Sequence, residues 1–333
     1  MSEPFNCHLE NIAKELASPK LWYETQDFKS VKDYVVNNLC MCSKSFDDLF
    51  SRTIPFGIPA HHTRLHNSDD RYDVMLELSL PSYRKISSFV NNDNYVCLDV
   101  SDVPYDLPMA DEKGLVNRHL LKNWLDDIFL KTFARYKNRF RGIKGGYYKL
   151  TYVLHDISHV VFAQSKSRVS KIVFVPSILL VHEGFSYSAL TKLTYSMAKY
   201  SFLPCTPDVE TSRCQVNVVR NALIILQALC EAKGLTEIRY YHLMNLALNL
   251  HEYAISTTLD DAFLLLLYGL CDAVKRQHLS HYIVRKLNLL SNIRCEKLSE
   301  YAIILDRAYS TLSSYEDQGM LSYKRCESHF LIS

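Results

Sequence analysis

The run KTFARYKNRFRGIKGGYYK, Lys131 to Lys149, decides how the rest of the 333-residue chain is read. It holds seven Lys or Arg, no acid, and five aromatics, Phe133, Tyr136, Phe140, Tyr147 and Tyr148. Upstream, Leu115, Leu120, Leu121, Trp124, Leu125, Ile128 and Phe129 recur at helical intervals, and the pattern continues through Phe133, Tyr136 and Phe140. This spacing predicts one long amphipathic helix, capped by Asp111 and ended by Gly142. GIKGG then turns the chain into Tyr147 to Leu154 (YYKLTYVL), which alternates like a strand. The run is therefore the join of a helix and a strand.

Charge widens the feature. Residues 1 to 127 carry 13 basic and 20 acidic side chains, residues 128 to 182 carry ten basic and one acidic, and residues 183 to 333 carry 15 of each. The only acid in the middle window is Asp156. Cations at a helix C-terminus are favoured by the macrodipole, by about 0.3 to 1 kcal/mol each. That accounts for part of the run but not for Lys144, Lys149, Lys166, Arg168 and Lys171 beyond it. Cations interleaved with rings suit a polyanion, since cations displace counterions from phosphate and rings stack on bases. The candidate contacts are Lys131, Arg135, Lys137, Arg139, Arg141, Lys144, Tyr147, Tyr148 and Lys149. Phe133, Tyr136 and Phe140 fall on the apolar face and are assigned to the core. The expected contact is thus with the phosphate backbone, independent of sequence. An acidic protein partner, or a solvated helix end paired with acids of the N-terminal half, stays open.

Working outward, helices are expected at 5–17, Ser30 to Leu39 and Ser45 to Phe50, and strands at Val74 to Leu80, Tyr95 to Val100 and Lys171 to Val175, with SILLV as an extension of the same sheet. From Ser186 the pattern turns helical, through Ala189 to Phe202, Gln215 to Lys233, Glu237 to Tyr253, Leu259 to Asn288 and Cys295 to Tyr315. The fold class is α+β and predominantly α-helical: a mixed domain with a small sheet over 1–185, then a helical domain over 186–333, with the boundary between 185 and 212.

With hydrophobic residues at 48% and charged residues at 22%, general disorder is excluded. Glycine numbers only nine, where usual frequencies give about 23. No GxGxxG and no GxxxxGK[ST] occurs, which removes dinucleotide and P-loop readings, and no cofactor is expected. The ten cysteines are scattered, with Cys40 and Cys42 the one close pair, and read as reduced thiols. The polar N-terminus has no signal-peptide core, and the longest apolar runs are too short to span a bilayer. The expectation is a cytoplasmic protein without membrane contact.

Four constellations remain. The last stretch, LSSYEDQGMLSYKRCESHFLIS, resembles the end of a winged-helix domain, which implies a DNA-contacting helix followed by a hairpin. His155, Asp156 and His159 (HDISH) are similar to the His-Asp core of HD-type metal-dependent phosphohydrolases, with His119 as the upstream ligand and no suitable downstream Asp before Asp208. His61, His62 and His66, with Asp69, Asp70 and Asp73, offer imidazole and carboxylate ligands in one loop. Arg276 and His281 form an R-x4-H pattern similar to the motif of HEPN ribonucleases, in which such a pair flanks the scissile phosphate; Gln277 departs from the residue usual there. Taken together, the chain reads as a non-enzymatic, nucleic-acid-associated component of a larger assembly, using other copies or subunits as partners. A HEPN-like metal-independent ribonuclease and a scaffold without nucleic-acid contact are the alternatives.

Overall fold

A computed structural model describes residues 4–18, 22–66, 70–81, 85–104, 106–136, 138–156, 158–166, 168–182, 185–191, 199–316 and 321–331. In chain order these form α1 (Phe5–Leu16), α2 (Trp22–Cys42), α3 (Lys44–Leu49), β1 (Phe50–Pro55), α4 (Ile58–His61), β2 (Arg71–Leu78), β3 (Ser87–Val90), β4 (Val96–Asp99), α5 (Arg118–Arg135), β5 (Arg139–Arg141), β6 (Tyr147–His155), β7 (Ser158–Gln164), β8 (Val169–His182), β9 (Phe185–Leu190), β10 (Leu203–Cys205), α6 (Pro207–Cys214), α7 (Asn217–Ala232), α8 (Tyr240–Ala254), α9 (Leu259–Lys275), α10 (Cys295–Ser313) and α11 (Tyr323–Glu327). Helix at 47% outweighs strand at 24%, so the chain is mixed α and β.

Two compact units divide the chain, and neither is one continuous stretch. A helical unit comprises 1–19, 60–68 and 208–333, and a sheet unit comprises 20–59 and 69–207.

In the sheet unit the strands run β1-β2-β8-β7-β6-β5, with β9 on β8 and β10 on β9. Among the described residues only β2 and β8 pair in parallel. The long β8 changes partner along one edge: β7 reaches Phe174 and β9 begins at Ser177. Pro176, which has no N–H to give, sits in that gap. Its carbonyl accepts from both the backbone N and Oγ1 of Thr191, at 3.4 and 3.0 Å. One face of the curled sheet carries Val74, Leu76, Leu150, Val161, Ile172 and Phe174, and the apolar sides of α2 and α5 cover it. Strand alternation sends the neighbouring residues to the opposite face.

In the helical unit α7 is buried continuously from Ala222 to Cys230 and packs on α1, α8 and α9. A helix apolar all round must be central. The chain end departs from the expected wing. Residues 317–320, including the expected Gly319 turn, lie outside the described residues, but the stretch after them is the short helix α11, not a hairpin strand. Cys326 and Phe330, one helical turn apart, are both buried, and Phe330 meets Phe263 at 5.9 Å. The backbone carbonyl of Leu321 is 3.0 Å from His8 Nε2, and Tyr323 donates to Glu15 at 2.7 Å. What alternated on paper is the buried side of a helix packed on α1.

Two further differences concern period. The expected helix Ala189 to Phe202 begins as strand, since Ala189 and Leu190 belong to β9 and pair with Ile178 and Ser177; residues 192–198 lie outside the described residues. The expected helix Leu259 to Asn288 ends at Lys275, where Gln277 turns with φ 54°.

Candidate functional site

The basic run folds as the end of α5 and the β5–β6 hairpin. Asn117, not Asp111, caps α5, its side chain accepting from His119 N at 2.9 Å. Asp111 caps a turn instead, accepting from Lys113 N and Leu115 N at 3.0 and 3.1 Å. The helix closes at Arg135, so the expected continuation to Gly142 fails. Phe140 satisfies a four-residue interval from Tyr136, yet equally alternates with Arg139 and Arg141 as a strand. Pairing with β6 decides the matter, in the register Arg139 with Lys149, Phe140 with Tyr148, Arg141 with Tyr147. Phe140 and Tyr148 therefore turn inward, toward the helices, while Arg139, Arg141, Tyr147 and Lys149 turn outward.

Of the ten cations in residues 128 to 182, Lys131 is paired with Asp127, Arg168 with Asp70, and Arg135 lies over the Tyr136 ring at 5.6 Å. Lys137 lies outside the described residues. Lys144 is exposed at the hairpin tip. Arg139, Arg141, Lys149 and Lys166 are exposed and Lys171 half-buried, and no carboxylate pairs with any of the five among the described residues. Arg139, Lys149 and Lys166 line an open groove of about 480 Å³ together with Tyr147, Tyr148, Gln164 and Ser165. Gln164 stands opposite Lys149 across the β6–β7 ladder. Lys166, Gln164 and Ser165 were absent from the candidate contacts; only the charge excess extending past Lys149 hinted at the first.

The hairpin is held from beneath. Asp27 of α2, buried, accepts from Ile143 N at 2.6 Å and from the Tyr148 hydroxyl at 2.9 Å. Tyr148 is thus half-buried with its hydroxyl held by Asp27, whereas Tyr147 is the more exposed of the two tyrosines. Gly142 is required here: a Cβ would lie 2.6 Å from Asp27 Oδ2 and 2.8 Å from Tyr148 Cε2. Nothing in the sequence linked Asp27 to a turn 116 residues later.

No family model matches the chain, and no curated protein matches it.

The remaining candidates disperse. His155 and His159 fall on opposite faces of the sheet, because Leu154, not His155, is the partner of His159. His155 and Asp156 are exposed at the β6–β7 turn, Asp156 with φ 56°, while His159 is fully buried. One metal ion cannot meet both histidines. His159 stacks on Phe129 at 4.9 Å, and its Nδ1 lies 2.8 Å from the Tyr152 hydroxyl, which donates to Asp126 at 2.7 Å. His119 is exposed on the first turn of α5. His61 is buried and shares a 2.7 Å hydrogen bond with Tyr240, whereas His62 and His66 are exposed. Asp70 is engaged by Ser170 and Arg168, Asp73 by Arg71, and Asp69 lies outside the described residues. Among the described residues no three such ligands converge.

Arg276 and His281 do not share a helix. Arg276 caps the end of α9, exposed and paired with Asp272 at 2.9 Å. His281 is fully buried in the following loop. Its Nδ1 accepts from Ile283 N and Val284 N at 3.1 Å, so Nε2 carries the proton and faces the Tyr241 hydroxyl at 3.0 Å. With both nitrogens occupied, this imidazole has none to offer a phosphate.

Burial, with Lys122 nearby, holds the His159 imidazole down at about 3. The unfolded chain takes up a proton below 6.5 that the folded protein refuses until about 3. The stability this lends is complete above 6.5 and is lost as pH falls through that window, at about 1.4 kcal/mol per pH unit. Wild type is expected to lose about 2 kcal/mol from this group between pH 6.5 and 5, whereas His159→Phe is spared that loss. Urea melts followed by tryptophan fluorescence at both pH values measure it; equal losses in the two proteins would refute the assignment.

Proposed function

We propose that the protein is a non-enzymatic, nucleic-acid-associated component that grips the phosphate backbone through the outward face of β5, β6 and the β7–β8 turn. The observation that carries this reading is that Arg139, Arg141, Lys149 and Lys166 are exposed in one region with no carboxylate paired to them among the described residues. Cations without partners keep their full attraction for phosphate and release its counterions on contact. Four such contacts give a slope of log affinity against log salt of about −3 to −4. Gel shift and anisotropy with DNA and RNA across a salt series test it. Absence of any shift, and of heparin retention, at about 50 mM salt ends the reading.

A second reading, in which the helical unit contacts other copies or subunits, rests on large side chains left in solvent. Tyr253 of α8, Tyr268 of α9 and Ile303 of α10 are 69, 56 and 57% exposed. Tyrosine is enriched at protein interfaces. Light scattering over a concentration series should show self-association, or a pull-down a partner; a strict monomer without one would argue against it.

A further inference from the structure

Resting on the phosphate-binding reading above, we infer that the groove beside β5 and β6 takes single-stranded nucleic acid, with one base stacked on Tyr147, in preference to a duplex. Of the five rings in the basic run, only Tyr147 keeps its faces open. It is 65% exposed and makes no ring contact or side-chain hydrogen bond among the described residues. Phe133, Phe140 and Tyr148 pack against the core, and Tyr136 lies under Arg135.

The surroundings of Tyr147 suit an unpaired strand. Arg141 stands opposite it and Lys149 two residues along the same strand, so cations lie on two sides of the ring. Beyond Lys149 the ladder places Gln164, whose amide can both donate to and accept from a base edge. Exposed apolar residues share this face: Val153 at 44% and Val169 at 53%. A duplex presents phosphate and hides its bases, leaving such side chains against charge, whereas an unpaired strand brings the π-faces of its bases to them. Reading a duplex also calls for an element that enters a groove. The tip of the β5–β6 hairpin offers a single charge, Lys144, beside the exposed Ile143. Arg139, Arg141 and Lys149 lie on the two strands behind it.

The test uses the full chain and three labelled probes of one sequence, about twelve nucleotides long: single-stranded DNA, single-stranded RNA and duplex DNA. At least one single strand is expected to bind more tightly than the duplex, and the two single-stranded arms show which sugar is taken. Tyr147→Ala should weaken single-strand binding about 5- to 150-fold, the worth of one base–aromatic stack. It should leave the duplex affinity and the salt slope as they were, and Tyr147→Phe should restore the loss. A duplex that binds as tightly as the tighter of the two single strands, or a Tyr147→Ala protein that binds single strands normally, overturns the inference and leaves the phosphate-binding reading standing. Failure of all three probes to bind overturns both. Far-UV circular dichroism of the variants confirms that an exposed side chain has been changed without loss of fold.

Discussion

The triple variant Arg139→Ala, Lys149→Ala, Lys166→Ala is expected to lose about 500- to 3000-fold in nucleic-acid affinity at about 0.05 M salt. Each phosphate contact adds about 0.7 to 0.9 to the salt slope, so three contacts remove about 2 to 3. Counterion release vanishes toward 1 M salt, where wild type and variant should converge, and the twentyfold dilution from there to 0.05 M magnifies the missing slope into the stated factor. All three side chains are exposed, so the substitutions should leave the fold intact. Lys131→Ala is the control: Lys131 is also exposed but already paired with Asp127, and its loss should change little. If the triple variant keeps the wild-type slope, or if Lys131→Ala costs as much as the triple, the groove is not where phosphate binds.

The largest effect on stability should come from Phe129→Ala. Phe129 has no exposure and stacks on Tyr152 at 4.8 Å and His159 at 4.9 Å, with Phe174 at 5.7 Å. It fixes α5 to the underside of β6, β7 and β8 at once. Truncation removes a ring from a site that rigid strands cannot collapse to fill, at a cost of about 3 to 5 kcal/mol. Leu130, the next residue, is 56% exposed, and Leu130→Ala should stay within about 0.5 kcal/mol. Both tryptophans, Trp22 and Trp124, belong to the sheet unit, so their fluorescence in urea follows the unit concerned. A loss below about 1 kcal/mol would mean the ring is not the keystone its contacts describe.

How far the chain could be read before its coordinates follows from the reach of each signal. Local periodicity served where one period stood alone, as in α7 and β6, whose starts and ends fall within a few residues of those expected. It misled where two periods coincide: Phe140 fits a helix from Tyr136 and a strand between two arginines, and only pairing with Tyr148 chooses. β7 was not anticipated, because a strand buried on both faces lacks alternation, and β9 was absorbed into the helical pattern expected from Ser186. The cations of the site were legible as charge, since charge needs no fold to be counted. Which of them stay unpaired was not: Lys131 and Arg168 look like their neighbours until Asp127 and Asp70 are placed beside them. Long-range support such as Asp27 leaves no trace in its own neighbourhood of sequence.

The discontinuous make-up of the helical unit sets a timetable for synthesis. Helix α1 is translated well before its partners, since the helices that pack on it begin about 200 residues later, at Asn217. At about 5 to 20 residues per second, its apolar side stays without its native cover for on the order of 10 to 40 s. The sheet unit is complete by residue 207 and can fold during that interval. Nascent α1 thus has need of a chaperone during that interval, and substitutions that slow elongation before α7 would lengthen its exposure.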